Sequence, residues 1–234
     1  MGNSRVKLAI FDRDELIHFE AHAILQTENL ASIFHKYDIQ SSIISATRIE
    51  KPELLTFLKA NSDFYLFDQD LPLPIRNDYD TPKTLGKDRL AAVVAGNALF
   101  PNENVLKIDG GTCITVDFID ATGCYQGGSI HPGLEMRLKA LHHFTGKLPL
   151  IEYNSSPHWL GKNTKDSILA GSLAAALGEI NTLIGLYKSK YGKIRILLTG
   201  GNAAFFENQF KFEIFAHPNL VLIGLNKILS FNAK

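Results

Sequence analysis

Asp109-Gly110-Gly111-Thr112-x-x-Thr115-x-Asp117 is the densest concentration of chemically useful side chains in the chain. Adjacent glycines at a tight turn let backbone amides approach a phosphate without a Cβ in the way. Thr112 and Thr115 offer hydroxyl donors, and Asp109 offers a carboxylate that can hold a cation beside the phosphates. The same residues also suit an ordinary glycine hairpin, because Gly-Gly and Asp-Gly are common turn formers. Both readings stay open on these residues alone. No GxxxxGK[ST] occurs, so the segment is not a Walker P-loop.

A second constellation, Leu85-Gly86-Lys87-Asp88-Arg89, follows a proline-rich stretch. Asp88 falls in the first turn of an expected helix, where the helix dipole favours a carboxylate. Such a group can accept a proton from a substrate hydroxyl, and Arg89 can pair with a carboxylate or phosphate. Acidic residues at this position also serve simply to stabilise a helix. A third segment, Thr199-Gly200-Gly201-Asn202, puts glycines at a strand's carboxyl end, where they leave room for a ligand or make a tight turn. The eight histidines form no metal-ligand spacing, and Cys113 and Cys124 are too few for a disulfide scaffold.

These groups need elements to hold them. Val6–Phe11, a turn at 12–15 and Leu16–Glu20 read as a hairpin. A helix follows over Leu25–Lys36, a strand over Ser41–Ala46, a helix over Pro52–Ala60 and a strand over Phe64–Phe67. Residues 71–82 carry prolines that exclude regular structure, and Thr84 is the expected N-cap of a helix over Leu85–Phe100. After Pro101-Asn102, strands are expected at Val105–Ile108, at Cys113–Ile119 and from 124 into Gly127-Gly128. Helices are expected near Gly133–Phe144 and over Thr164–Lys190, then strands at Ile194–Leu198 and Val221–Gly224. Gly171, Gly178 and Gly185 recur every seven residues in the long helix, each at about 1 kcal/mol below alanine. Close approach of another helix, within the chain or across a dimer, would compensate. The repeated order of elements predicts a duplicated α/β fold, residues 1–102 and 103–234.

Composition narrows the class. The 234 residues are 45% hydrophobic and 21% charged, with 24 basic and 24 acidic side chains. No basic stripe suits nucleic acid. No apolar run near 18 residues and no signal peptide points to a membrane, so a reduced, cytoplasmic protein is expected.

Taken in order, the segments resemble type III pantothenate kinases of the actin, Hsp70 and sugar-kinase superfamily. The resemblance rests on Gly2-Asn3-Ser4, Tyr79-x-x-Pro82-x-x-Leu85-Gly86-x-Asp88-Arg89, Asp109-x-Gly111-Thr112-x-x-Thr115-x-Asp117 and Gly127-Gly128-x-Ile130-x-Pro132-Gly133. Leu148-Pro149, Asn163-Thr164-x-x-Ser167-Ile168 and Thr199-Gly200-Gly201 complete it. It implies two RNase H-like domains with mixed sheets flanked by helices, and ATP-dependent phosphorylation of pantothenate, the first step of coenzyme A synthesis. By that resemblance Asp88 is the catalytic proton acceptor. Tyr79, Gly86, Lys87, Asp88, Arg89 and Thr164 bind pantothenate, with Thr164 supplied by the partner subunit of a homodimer. Gly2, Asn3, Ser4, Arg5, Val6, Lys7 and Thr112 contact ATP. Asp109 holds a monovalent cation, K+ or NH4+, and Mg2+ accompanies ATP. In the family an aspartate on a first strand stands two residues before the glycine matched by Gly2. Here Met1 precedes Gly2, and the expectation is that Met1 is an internal methionine of an Asp-Met-Gly-Asn-Ser run, a genuine short form being the competing view. A non-catalytic relative that binds pantothenate or nucleotide and acts through partners is the alternative function. A kinase acting on another alcohol is a third reading, against which Tyr79, the Gly86–Arg89 run and Thr164 argue.

Overall fold

The computed structural model describes residues 6–45, 52–153, 158–207, 209–210 and 212–233. Gly2, Asn3, Ser4 and Arg5 therefore lie outside the described residues. The chain forms two compact units, Met1–Leu99 with Asn219–Lys234, and Phe100–Pro218. The sequence reading changes unit after residue 102 and assigns everything beyond to the second, so residues 219–234 change sides.

In the first unit β1 (Val6–Asp12) pairs antiparallel with β2 (Glu15–His22). Helix α1 (Thr27–Lys36) leads to β3 (Ser41–Ile44), and α2 (Pro52–Asn61) leads to β4 (Asp63–Leu66), which pairs parallel with β3. Val6, Leu25, Leu30, Leu54 and Leu58 form a small core between these elements. The proline-rich stretch keeps only a two-residue strand β5 (Arg76–Asn77) and a 3-10 turn over Pro82–Thr84. Helix α3 starts later than expected, at Lys87, and runs to Leu99. Thr84 does not cap it. Its hydroxyl instead donates to the Thr81 carbonyl at 3.0 Å, and Gly86 supplies the carbonyl for the helix's first turn through Leu90 N–H.

The expected strand Val221–Gly224 is part of a helix, α8 (Leu220–Asn232). Its apolar run looks like a buried strand when read alone. The buried residues Leu220, Gly224, Leu225 and Ile228 instead follow helical spacing, and the run continues far enough to complete three turns. Helix α8 lies directly on α3. A Cβ on Gly224 would fall 1.7 Å from the Ala91 carbonyl oxygen, so only glycine permits the contact.

The second unit holds β6 (Val105–Gly110), β7 (Cys113–Ile119), β8 (Cys124–Pro132), β9 (Arg195–Thr199) and β10 (Phe215–Ala216). They line up β10-β9-β6-β7-β8, with an antiparallel meander β6-β7-β8 and with β9 and β10 parallel to β6. Helices α4 (Leu134–His143), α5 (Thr164–Leu169), α6 (Ala175–Tyr191) and α7 (Ala203–Glu207) accompany this mixed sheet. The fold is α/β, a mixed sheet flanked by helices, as expected. Helices α5 and α6 are continuous through a π turn at Ala170–Ala174. By length and composition this 28-residue helix is apolar enough to cross a membrane. It serves as a core helix: Leu173, Ala176, Ile180 and Ile184 are fully buried against Leu106, Ile108, Val116 and Phe118 of the sheet.

Candidate active site

The phosphate-type motif sits where β6 and β9, side by side and parallel, reach their carboxyl ends, with Asp109 opposite Thr199. Gly111 N–H donates to the Cys113 carbonyl at 3.0 Å and closes the hairpin, leaving Thr112 exposed at its tip. Two other glycine motifs converge on it. A Cβ on Gly200, whose φ is +94°, would lie 2.4 Å from Asp109 Oδ1 and 2.6 Å from the Gly110 carbonyl. A Cβ on Gly133 would lie 2.1 Å from the Thr112 carbonyl oxygen. Asn202 N–H ties the β9 loop to the Gly110 carbonyl at 2.8 Å. Three motifs far apart in sequence thus form one glycine-walled turn, with the Asp109 carboxylate set over Gly200 and Gly111.

Beside this turn Tyr153 donates to Glu135 and Asn202, both at 3.2 Å, and Asn202 donates to Glu135 at 3.2 Å. Burial, then the Glu135 charge and hydrogen bond, push the Tyr153 hydroxyl up to about 12. It therefore stays a neutral donor at physiological pH. Nothing in the local sequence links Glu135 to Tyr153, and folding alone brings them together.

Behind the turn lies a buried ion pair that the motif reading does not single out. Lys107 Nζ is 2.7 Å from Asp117 Oδ2, with side-chain exposures of 2% and 0%. Lys107 also donates to Thr115 Oγ1 at 2.8 Å, and Tyr125 donates to Asp117 Oδ1 at 2.7 Å.

In the first unit, Asp88 lies exposed in the opening turn of α3 and its Oδ1 accepts the Arg89 amide at 2.9 Å. Gly86 leaves room for that carboxylate, since a Cβ there would be 2.7 Å from Asp88 Oδ1. Lys87 is half-buried, whereas Arg89 is buried, and its guanidinium carbon stands 5.9 Å from the centre of the Tyr79 ring. Asn77 Oδ1 accepts the Tyr79 amide at 3.1 Å and fixes the turn before it. Gly86, Asp88, Arg89 and Tyr79 thus form one group.

Val6 is buried in the core of this unit, and Lys7, on the other face of β1, is exposed. In the second unit Thr164 is the exposed first residue of α5, whose N-cap Asn163 accepts the Asp166 amide at 2.9 Å. Gly171, Gly178 and Gly185 are all exposed, and a Cβ on any of them meets nothing within 4 Å. Close packing within the described residues is therefore not what these glycines serve. Gly171 lies inside the π turn, which shifts the helical phase, so only Gly178 and Gly185 keep the seven-residue stripe.

Comparison with known proteins gives a consistent result. The family model for type III pantothenate kinase matches residues 1–185. A type III pantothenate kinase of Bacteroides fragilis is 42% identical over 234 residues, 99% of this chain and 96% of the relative. That of Cytophaga hutchinsonii is 41% identical over 236 residues, covering 99% and 97%. Among solved structures, a protein of the Baf transcriptional-activator family from Campylobacter jejuni superposes with a TM-score of 0.62 at 22% identity. That match covers 98% of this chain and 95% of the other, and it bears on the fold alone.

Proposed function

The chain belongs to the type III pantothenate kinases, and from that premise we propose that it phosphorylates pantothenate with ATP, the first step of coenzyme A synthesis, using the two groups of residues just described. The convergence of Gly110–Thr112, Gly133 and Gly200 around Asp109 is the observation that carries this reading, because an ordinary hairpin has no use for two further glycines cleared against it.

On the acceptor side, Asp88 takes the proton of the pantothenate primary hydroxyl as that oxygen bonds to the γ-phosphorus of ATP. The bond from phosphorus to the bridging oxygen breaks, and ADP leaves. Little covalent chemistry falls to the protein in such a transfer, so alignment and charge neutralisation dominate and a weak carboxylate base suffices. Tyr79, Gly86, Lys87 and Arg89 would bind pantothenate, with buried Arg89 as the partner for its carboxylate. On the phosphate side, Thr112 would donate to ATP, and Gly2–Lys7 would belong to the same nucleotide site.

Asp109 is a hard oxygen donor suited to K+ or NH4+. Mg2+ commonly binds through phosphates, waters and one or two carboxylates, a donor set that a single aspartate fits. Bound with ATP, the divalent ion would neutralise charge on the transferring phosphoryl group. A homodimer is part of the proposal: Gly178 and Gly185 leave an uncovered helix face beside Leu186, which is 61% exposed, and a second copy would bring its own Thr164. Two free cysteines, Cys113 and buried Cys124, accord with a reducing cytoplasm.

The test is pantothenate-dependent ADP release from ATP with Mg2+ and K+. Release that requires pantothenate is expected; ADP release indifferent to pantothenate, or none at all, would reject the reading.

A further inference from the structure

Lys107 is an unusual residue to find fully buried in a central strand. Its neighbours along β6 are Leu106 and Ile108, both in the core. An ammonium there loses its hydration and survives only if paired and hydrogen-bonded. Both conditions are met. Asp117, directly opposite on β7, lies 2.7 Å away, and its second oxygen is occupied by the Tyr125 hydroxyl at 2.7 Å. Gly128 makes the arrangement possible from the other side, since a Cβ there would lie 2.9 Å from Asp117 Oδ1 and 1.9 Å from the Val116 carbonyl. Replacing such a pair with apolar side chains usually leaves stability unchanged or improves it. Its contribution is better sought in what it does to its neighbours.

The neighbour is Thr115. Lys107 Nζ reaches its Oγ1 at 2.8 Å. A lysine ammonium has three donors and no acceptor, so Thr115 is the acceptor in this bond. The hydroxyl's own proton must then be offered elsewhere, which makes Thr115 a committed donor rather than a free rotor. The β6–β7 register sets Thr115 directly opposite Asp109, one pair short of the Gly110–Thr112 turn. Lys107, Thr115, Asp109 and Asp117 all occupy one face of the sheet, while Leu106, Ile108, Val116 and Phe118 occupy the other. A polar line therefore runs from the buried pair out to the carboxylate over Gly200.

We propose that Lys107 is a positioning residue for the phosphate side of the site: neutralised by Asp117, it locks Thr115 as a hydroxyl donor beside Asp109, where ATP and its cation are handled. The proposal rests on the kinase reading above and adds to it a residue that touches neither substrate. Lys107 acts through Thr115, so removing either should have the same effect, and removing both should do little more than removing one.

Four proteins test this: wild type, Thr115→Val, the double variant Lys107→Met/Asp117→Asn, and the triple variant. The double variant removes both buried charges together and so avoids leaving one uncompensated; its melting temperature is measured alongside. ATP–Mg2+ binding by calorimetry and the separate KM values for ATP and pantothenate are the readouts. Thr115→Val is expected to weaken ATP by about tenfold, the scale of one hydrogen bond to a charged group. The double variant should weaken it to a similar degree at near wild-type melting temperature, with the pantothenate KM unmoved. The triple variant should be within about twofold of Thr115→Val.

Three outcomes would overturn the proposal. The double variant could bind ATP like wild type while Thr115→Val does not, the two effects could multiply in the triple variant, or every variant could match wild type. A wild-type chain that fails to bind ATP at all would overturn the kinase reading and this inference with it. A wild-type chain that phosphorylates pantothenate while showing one of the first three outcomes would sink the inference alone.

Discussion

Asp88 holds a carboxylate oxygen on the next residue's amide and stands exposed at the head of α3, a placement that keeps an acceptor oriented while leaving it open to solvent. Asp88→Asn keeps that hydrogen bond and removes the base. The expected result is a fall in kcat of about a hundredfold to ten-thousandfold with ATP affinity nearly unchanged, measured by coupled ADP assay and calorimetry. Unchanged turnover would remove Asp88 from the chemistry. At this scale the sequence was generous where motifs are compact. Gly86, Asp88 and Arg89 are neighbours along the chain, and a helix start is enough to group them with Tyr79. It was less generous with Lys107. The observed register leaves three residues, 111–113, between the paired Gly110 and Ile114 and sets Lys107 opposite Asp117, whereas a two-residue turn at Gly111-Thr112 would face it with Val116. A single lysine in a strand carries no motif, and only the register gives it a partner.

Among the elements, the long helix and α8 give opposite lessons about glycine. Gly178 faces open space, so Gly178→Ala should stabilise the subunit by about 1 kcal/mol through helix propensity. If a second copy packs on that face, the same substitution should weaken self-association, which sedimentation velocity across a concentration series would reveal. A stabilised chain whose association state is unaltered would remove Gly178 from the interface. Gly224 is the converse. An added methyl would overlap the Ala91 carbonyl, and Gly224→Ala should destabilise by about 3 kcal/mol. For a chain of this size that corresponds to a melting temperature lower by roughly 6–12 °C. The misreading of α8 has the same root. Val221-Leu222-Ile223-Gly224 is as apolar as a core strand, and periodicity over so short a window does not separate the two; the partner surface on α3 decides.

Over the whole molecule, the element order as far as β9 and the glycine-rich turns were largely legible, because strand–turn–strand patterns and breakers are local properties. The assignment of residues 219–234 to the first unit was not, because it depends on a contact made across the full length of the chain. Acid response is also a property of the assembled second unit. Burial raises the Glu179 carboxyl, but hydrogen bonds from Arg137 and His131 outweigh it and hold the group below its ordinary 4.5. A carboxyl depressed in the folded state stabilises fully above its unfolded value and loses that contribution as pH falls through the folded one. Melting temperature should therefore decline below about pH 4.5, and Glu179→Gln should make that decline shallower. An identical acid limb in the variant would show that the bridge between β8, α4 and α6 is energetically idle.

The seat of α8 on α3 also has a consequence for biosynthesis. The ribosome delivers α3 early, yet the helix that covers its Ala91 face emerges only after residues 100–218 have been made. At ordinary elongation speeds that interval is on the order of ten seconds. The second unit is contiguous and can fold as it appears, whereas the first must wait with an apolar helix face exposed. A nascent chain stalled before residue 219 should accordingly be the form that chaperones hold and proteases cut, with vulnerability concentrated in the half that was translated first.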